Sequence, residues 1–574
     1  MAAIIVTTII WLAPISSAYA TPKNSTYIVN STIDEPDADP SQPNCVSTPS
    51  GKCTVRAAIM RTNFEGGVNT IVVPLGVYAL TRPGYDNNAL VGDLDIANDL
   101  TIQGAGSGAT IIDGNGAVTQ DRVFKILSTA TQVTMTGMTI RNGQSFSSTV
   151  GTIGGGGLLI EGAGDLNLSD VIFDSNKGQN GGGIYANFTS QGGSLTMNNV
   201  IVHANTVTAG GVGAGGGVFV SLLSGNSQVS IQNSQVYSNT TDGTGGGLFV
   251  TGTNLAHWSI QRSNIFSNTA ASGGAIGNFV PLAMSDSNLH GNHVSFDGGA
   301  IEAFSPLAIA RTTLDSNSAN RFGGGIFDLQ TSSNALYKNF GYIAQSTLSN
   351  NSAQYGGGIY HDGFLTPGSL LTLLNSTLSG NVVYRPGGAT GEADGGGIYV
   401  YGGQAQLLNA TVASNRVQLH FPSTYTGIGG GLYITASATF TAENSLIANN
   451  TRGNGITLNA ADDCFSSGTV GELAYDLFTT TANCFVSGPQ GGNIVGQNPL
   501  LGPLMYNGGS TQTHALLLGS PAIDNGAPAG CIDDLGAPLT IDQRGWARPY
   551  PAGGLCDIGA YERGAFLFLP LIER

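Results

Sequence analysis

The chain has 574 residues, of which 86 are glycine, 41% are hydrophobic and only 10% are charged. This hydrophobic content argues against a disordered chain, so the glycines indicate many tight turns. The formal net charge is −16 and no run of Lys and Arg occurs, which argues against a nucleic-acid partner and favours an acidic surface that keeps the protein soluble.

Residues 1–20 have the pattern of a secretory signal peptide. The apolar run Ile4–Leu12 precedes the A-x-A cleavage site Ala18–Ala20, although the usual positive residues before the run are missing. No later segment is long and apolar enough to cross a bilayer, and the apolar tail of residues 564–574 is short and contains a proline. The sequence therefore predicts an exported protein without a transmembrane span.

Residues 21–99 are expected to form an N-terminal cap and the first strands. Val55, Ala58, Ile59 and Thr62 have helical spacing, so we expect a short helix that covers the open end of a stack of strands. Acidic clusters at residues 34–39 and at Asp93 and Asp95 could hold Ca²⁺, but a solvated loop is the simpler interpretation. No other metal ion or cofactor is expected.

The six cysteines form three local pairs, and all lie outside the middle of the chain. An even count in an exported protein predicts disulfides, and we favour the local pairing among the 15 possible connectivities. The expected pairs are Cys45 with Cys53, Cys464 with Cys484 and Cys531 with Cys556.

An internal repeat occupies residues 100–455. A glycine cluster followed by an apolar residue recurs every 25 to 39 residues. The clusters begin at Gly155, Gly181, Gly215, Gly245, Gly273, Gly298, Gly323, Gly356, Gly395 and Gly429. Each is paired with a strand of alternating apolar residues that ends in a small residue and an asparagine, as in Leu195–Asn205.

This repeat predicts an all-β fold, a right-handed parallel β-helix. The shortest spacing suits three short strands and three turns, and stacking the coils buries the apolar row that one coil cannot bury. The asparagines are expected to stack at one turn, where each tolerates a left-handed backbone and bonds to its copy in the next coil. They are Asn205, Asn239, Asn268, Asn292, Asn317, Asn381 and Asn415. Too much glycine excludes an α-solenoid, and the repeat is too short for a propeller blade.

The second residue after most glycine clusters is aromatic, and these rings are expected to point outward as a ladder along the helix axis. They are Tyr185, Phe219, Phe249, Phe327, Tyr360, Tyr399 and Tyr433. Exposed rings can bind sugar faces, which makes the ladder a candidate glycan site, but half-buried packing is the simpler interpretation. The ladder is expected to break where Gly277 and Glu302 replace the ring.

The same central window is rich in ionisable residues for so charge-poor a chain. A polysaccharide lyase needs a base and a group or Ca²⁺ that neutralises a uronate, whereas a glycosidase needs two facing carboxylates. Asp297, Glu302, Arg311 and Arg321 are the catalytic candidates if stacking brings them into one groove. The alternative is a solvated polar face.

The two ends of the chain resemble known modules of bacterial surface proteins. The N-terminal motifs resemble the CSLREA domain, with Thr54, Val55 and Ala57 replacing Ser, Leu and Glu, so that a Glu partner for Arg56 would be lost. These motifs are Tyr27–Asp34, Cys53–Ile59, Asn69–Leu80, Gly92–Ile96 and Leu100–Gly104. The repeats resemble those of chlamydial polymorphic outer-membrane proteins.

Residues 456–563 resemble the choice-of-anchor Q domain and are expected to cover the C-terminal end of the β-helix. The motifs that carry this resemblance are Asn498–Gly502, Asn507–Leu516, Gly519–Gly526, Asp542–Gly545 and Cys556–Glu562. These resemblances imply a secreted or surface-displayed protein but assign no reaction and no catalytic residues.

Two functional hypotheses follow from the sequence. The first is a structural or adhesive surface protein that binds a polysaccharide or cell-surface glycan, and the second is a polysaccharide-degrading enzyme on the same scaffold. Variable loops favour the C-terminal third as the ligand face, near Tyr384, Tyr401, His420, Phe421 and Tyr425. The sequence does not indicate the ligand, the anchor or the oligomeric state.

Overall fold

The computed structural model describes the chain from residue 24 to residue 564 with internal gaps. The described ranges are 24–145, 154–162, 164–188, 192–208, 213–253, 255–329, 341–366, 368–385, 393–419, 427–453, 460–484 and 490–564. The expected signal peptide, almost all of the tail, and His420, Phe421 and Tyr425 lie outside these ranges.

The chain winds into a parallel β-helix, as the repeat predicts. From Lys177 onward a coil runs through four short strands that stack on their equivalents in the next coil, whereas the described residues of the earlier coils form no fourth strand. We call the stacks sheets I, IIa, IIb and III. Alternation places one row of side chains inside: Leu195 and Met197 are buried, whereas Thr196 between them faces outward. The inner rows merge into one continuous apolar core from Tyr27 to Phe478.

Sheet I and sheet III flank the glycine turns. Sheet I contains Leu94–Ile96, Phe124–Ile126, Leu158–Gly162, Ile184–Phe188, Val218–Leu222, Leu248–Gly252, Ile276–Asn278, Ile301–Ala303, Ile326–Leu329, Ile359–Asp362, the first part of Ile398–Leu408, Leu432–Ile434 and Cys464–Ser466. Sheet III contains Lys177–Gly178, Thr206–Val207, Thr240–Thr241, Thr269–Ala270, His293–Val294, Ser318–Ala319, Ser352–Ala353, Val382–Arg385, Arg416–Leu419, Thr451–Gly453 and the antiparallel Ala460–Ala461.

Sheets IIa and IIb meet at a bend, and we call the two together sheet II. Sheet IIa contains Thr26–Ile28, Asn69–Val73, Leu100–Gly104, Ser194–Asn198, Gln228–Gln232, His257–Gln261, Leu282–Ser285, Leu307–Ala310, Gly341–Ala344, Leu370–Leu374, the last part of Ile398–Leu408, Ala438–Glu443, Thr469–Ala474 and Gln490–Gly491. Sheet IIb contains Gly76–Ala79, Thr110–Asp113, Ile201–His203, Gln235–Tyr237, Asn264–Phe266, Asn288–His290, Thr313–Asp315, Thr347–Ser349, Thr377–Ser379, Thr411–Ala413, Leu446–Ala448, Leu477–Phe478 and Ile494–Val495. Gln132–Arg141 and Asp165–Asp174 run through both.

The asparagine ladder is confirmed, with a correction to its backbone. Asn205 donates from Nδ2 to Oδ1 of Asn239 over 3.0 Å, and the equivalent bond joins Asn239 to Asn268. The left-handed residue is the one before each asparagine, such as Ala204 with φ of 54°. The asparagine itself turns inward because its amide satisfies buried backbone groups of two neighbouring coils.

The glycine turn is confirmed as a left-handed position. The first glycine of each cluster has positive φ, as at Gly215 with φ of 66°. The second glycine is required by close stacking, since a Cβ on Gly216 would lie 2.4 Å from the carbonyl oxygen of Gly246 in the next coil. The third position is less restricted, because alanine occupies it as Ala275 and Ala300.

The helix expected near Val55 is present and spans Val55–Glu65. Thr54 caps this helix by accepting a hydrogen bond from the backbone N–H of Ala57 over 3.1 Å. Arg56 has a buried ionic partner after all, because its Nε lies 2.6 Å from Oδ1 of Asp34. The only other helix of the described residues is Gly116–Thr119.

All three disulfides follow the local pairing. The Cα–Cα distances are 5.1 Å for Cys45–Cys53, 5.5 Å for Cys464–Cys484 and 6.2 Å for Cys531–Cys556.

The C-terminal segment differs from the expected end cap in two ways. Strands continue to stack as far as Ile494–Val495, well past residue 455. The remaining segment, with the antiparallel pair Leu501–Met505 and Thr513–Leu516, lies along the outer side of sheet II rather than only across its end. This arrangement places a mixed polar and apolar interface on the last coils.

Hydrogen bonds hold this segment on sheet II. Gln543 donates from Nε2 to Oγ1 of Thr347 over 3.0 Å and accepts from Oγ1 of Thr377 over 2.6 Å. Asn409, one coil farther on, donates to a backbone carbonyl of the same segment. The segment packs sideways because these coils present Ser, Thr and Asn side chains that hydrogen-bond to it. They also present apolar side chains: Leu374 and Leu408 cluster with Leu539, and Leu446 clusters with Leu516 and Ile558.

Candidate functional site

The aromatic ladder lies on the outer surface of sheet I. Ring centroids are 5.0 Å apart between Tyr360 and Tyr399 and 4.7 Å between Tyr399 and Tyr433, with nearly parallel planes. These rings form a cluster separate from the core, so they point outward as expected. Only 6% of Tyr360 and 9% of Tyr399 is exposed, because each ring covers the face of its neighbour.

The expected break in the ladder is filled by rings from elsewhere in the chain. Phe279 and Phe304 lie two residues after Gly277 and Glu302 and bring their rings into the gap. Centroid distances are 5.2 Å from Phe249 to Phe279 and 4.5 Å from Phe279 to Phe304. The stack therefore continues through the central coils. Sugar binding by this ladder stays a prediction, and it is not favoured because neighbouring rings cover the ring faces that a sugar would contact.

Three of the four catalytic candidates meet at the glycine turn of the central coils. Asp297 accepts hydrogen bonds from both the Nε and Nη2 of Arg321 and from the backbone N–H of Phe322. Glu302 is 6% exposed and its Oε2 has no hydrogen-bond partner among the described residues. Burial, together with the negative charge of Asp297, raises the pKa of Glu302 to about 8.

Arg311 is not part of this group. It lies at the bend between sheets IIa and IIb, with φ of 47°, and its Nε donates to Oδ1 of Asp286 over 2.7 Å. Asp297 is 3% exposed, so the two carboxyl groups of the cluster are covered rather than placed along an open groove. The catalytic assignment stays a prediction.

A buried Ser–His–Asp cluster, which no pattern in the sequence predicts, lies inside the coils of the C-terminal half. Nδ1 of His361 lies 2.7 Å from Oδ2 of Asp328, and Nε2 of His361 lies 3.2 Å from Oγ of Ser369. These contacts match the connectivity of a hydrolytic triad. However, all three residues are buried, and Ser369 directly precedes the strand Leu370–Leu374, two residues before the core residue Leu371. The cluster therefore stabilises the interior of the coil.

Replacing His361 with Ala is expected to lower the free energy of unfolding by about 3 kcal/mol, because Asp328 would lose a buried hydrogen-bond donor. Urea unfolding followed by circular dichroism measures this change. His257→Ala, at an exposed position, is the matched control and should change stability little. Equal stability of both variants would show that the cluster is not needed for folding.

A second ring stack, unnoticed in the sequence, lies on the outer surface of sheet IIb. It contains His203, Tyr237, Phe266 and His290, with centroids 4.7 to 5.0 Å apart and planes within 11° of parallel. All four rings are half-buried. Each lies two residues before a ladder asparagine, which is the sequence signal that could have revealed the stack.

A groove of about 450 Å³ lies beside this stack on the outer surface of sheet IIa. It crosses four consecutive coils, which at 4.7–4.9 Å per coil gives a length of about 14 Å along the helix axis. Its outward side chains, in coil order, are Gln228, Ser230, His257, Ser259, Ala283 and Ala308, with Pro281 and Pro306 along one side. The lining combines polar groups that can hydrogen-bond with apolar surface, as ligand sites in proteins do.

Small side chains in two short coils create the groove. Ala283 and Ala308 are paired in register on neighbouring strands, so they stand in the same column of outward side chains. Because both side chains are small, this part of the surface is recessed and forms the floor of the groove. The next residue of that column is Tyr342, whose hydroxyl donates to Oδ1 of Asp534 in the C-terminal segment over 3.3 Å. The groove therefore ends where the C-terminal segment begins to cover sheet II, and it lies on the part of this face that the segment leaves uncovered.

The acidic clusters show no calcium site. No group of three or more His, Cys, Asp or Glu residues within the described ranges is placed to hold a metal ion. Asp34 pairs with Arg56, and Glu35 accepts hydrogen bonds from Ser47 and Ser50. Ca²⁺ binding therefore stays a prediction without a supporting arrangement.

Comparisons with known proteins add little beyond the fold. No family model matches the chain, and no curated protein does. Among solved structures, the A-module of the mannuronan C-5 epimerase AlgE6 of Azotobacter vinelandii is similar at 13% identity, with 77% of this chain and 95% of that chain covered. The TM-score is 0.28, so this likeness supports no argument about function.

No helix within the described ranges is long and apolar enough to span a membrane.

Proposed function

We propose that the protein is a secreted or cell-surface β-helix protein that binds linear glycans through the uncovered outer face of sheet II and thereby serves adhesion. The groove on sheet IIa is the observation that carries this proposal. It runs along the stack for four coils, so an extended polymer chain can lie in it lengthwise. The side chains of Gln228, Ser230 and Ser259 can exchange hydrogen bonds with sugar hydroxyl groups, while Ala283 and Ala308 can contact ring faces.

Export is supported by the cysteines and by the resemblances of the two ends. The three disulfides are consistent with an oxidising, extracellular environment. The CSLREA-like and choice-of-anchor Q-like motifs support display at a bacterial surface, as does the signal-peptide pattern of residues 1–20. We propose no particular anchor.

The enzyme hypothesis has weaker support. A glycosidase or lyase needs its acid, base and charge-neutralising groups around an open substrate site. Asp297 and Glu302 are covered, and Arg311 lies at a different corner of the coil. We therefore retain binding, and not catalysis, as the proposed function.

Filling the groove should weaken glycan binding strongly. Ala308→Trp would place a large ring on the groove floor, so we expect affinity for the glycans that bind to fall about tenfold or more through steric exclusion. Immobilised glycans probed with the purified full chain provide the measurement. Ala436→Trp, at an exposed turn of a distant coil, is the control and should bind normally. Equal binding by both variants, or binding of no glycan by the unaltered protein, would contradict the proposal.

A further inference from the structure

We infer that the glycan bound in this groove is anionic, with carboxylate or sulfate groups that Arg262 and Arg311 contact along the rim. This inference rests on the proposed function and deepens it by naming the class of ligand. It depends on the charges around the groove and on how each guanidinium is held.

The groove contains no acidic side chain, although the chain has 36 Asp and Glu against 20 Lys and Arg. Its twelve lining residues include a single ionisable group, the exposed imidazole of His257. A carboxylate or sulfate that lies over these twelve residues therefore meets no negative side chain among them. Proteins that reject anions usually place like charges at such a site, and this one does not.

Arg262 lies at the bend where its sheet IIa strand ends, three residues after the groove residue Ser259, and we call this bend the rim of the groove. Its Nε donates to Oδ1 of Asn233 over 2.9 Å, and its Nη2 lies 3.4 Å from Oε1 of Gln232. Both hydrogen-bond partners are neutral amide oxygens that orient the exposed guanidinium. The carboxylate of Asp286 also interacts electrostatically with Arg262, but its hydrogen bonds go to Arg311. A guanidinium fixed in this way is suited to carboxylates and sulfates, which match its planar array of donors.

Arg311 stands two coils farther along the same bend, with Asp286 between the two arginines. Its Nε and Nη2 donate to the two carboxylate oxygens of Asp286 over 2.7 and 2.8 Å. Two positive groups and one negative group thus face this rim, which leaves a net positive charge on a chain whose total is −16. At 4.7–4.9 Å per coil the arginine backbones are about 10 Å apart, so one extended glycan can reach both.

The wall at the far end of the groove is acidic. Asp534 accepts a hydrogen bond from Tyr342, and Asp533 lies beside it in the same turn. An anionic ligand should therefore extend away from the C-terminal segment, towards His257 and Gln228. The rim arginines, rather than this wall, are the expected contacts.

The test compares three linear glycans on the full-length protein: polygalacturonate, which has carboxylates; heparin, which has sulfates; and a neutral glucan of similar length. Affinity is measured by biolayer interferometry at low and at high salt. We expect tighter binding of at least one anionic glycan, weakened by salt. Arg262→Gln should reduce that affinity about threefold and Arg262→Glu about tenfold, as expected for exposed charge pairs. Arg416→Gln, an exposed arginine on sheet III, should leave it unchanged.

The outcomes separate this inference from the proposed function. A preference for polygalacturonate identifies carboxylates as the recognised groups, and a preference for heparin identifies sulfates. Equal or tighter binding of the neutral glucan, or unchanged anionic binding in Arg262→Glu, overturns the inference but leaves glycan binding in place. Failure to bind any of the three overturns both.

Discussion

Replacing Asn268 with Ala is expected to lower the free energy of unfolding by about 4 kcal/mol. The Oδ1 of Asn268 accepts from the backbone N–H and from Nδ2 of Asn239, and its own Nδ2 donates to Asn292 and to the carbonyl of Val236. The substitution would leave several buried polar groups without a hydrogen-bond partner. Each such group costs about 1–3 kcal/mol before the surrounding structure relaxes.

The measurement is urea unfolding of the purified chain, with Asn226→Ala as the control. Asn226 is an asparagine in an exposed loop of a neighbouring coil, so its replacement should have little effect. In a stack of coils, the coils on either side of Asn268 are coupled mainly through the coils between them. Asn268→Ala weakens that coupling, so the single unfolding transition should divide into two. A single unshifted transition would show that the asparagine ladder contributes little to stability.

Replacing Glu302 with Gln is expected to stabilise the protein at alkaline pH. Burial raises the pKa of Glu302 to about 8 from an ordinary value of 4.5, so the folded state retains a proton that the unfolded state has released. The contribution of Glu302 to the free energy of unfolding is therefore most favourable below pH 4.5. It falls as the pH rises to about 8 and stays low above that pH. Gln mimics the protonated form and avoids this loss, which amounts to about 5 kcal/mol.

Thermal unfolding between pH 4 and pH 9 measures this difference. The stability gap between Glu302→Gln and the unaltered protein should widen steadily up to pH 8 and then remain constant. Glu472→Gln, at an exposed position, serves as the control and should show no such trend. A gap that does not change with pH would mean that Glu302 is already ionised in the folded protein.

The coil could be predicted from the sequence because its determinants are local and repeated. The glycine cluster, the terminal asparagine and the alternating apolar residues recur in every coil, and each has one structural role. The backbone assignment was wrong by one residue, since Ala204 rather than Asn205 adopts the left-handed conformation. Either residue fits the turn in isolation, and only the stacked amide hydrogen bonds of neighbouring coils decide between them.

The candidate site was harder to predict because it depends on which residues occupy the same column in successive coils. Coils of unequal length shift this alignment. The repeat alone therefore does not show that the ring of Phe279 occupies the gap at Gly277. The groove likewise arises from Ala283 and Ala308 in one column. The packing of the C-terminal segment on sheet II had no local signal, because its contacts join residues that are far apart in the chain, such as Thr347 and Gln543.

The most direct test of glycan binding on sheet IIa is a crystal structure of the full chain with a short oligogalacturonate. The sugar rings should lie along the helix axis over Ala283 and Ala308, with a carboxylate group in contact with Arg262. A glycan bound instead on the sheet I ladder, at Tyr360 and Tyr399, would contradict this placement of the site. So would a groove that stays empty at saturating ligand.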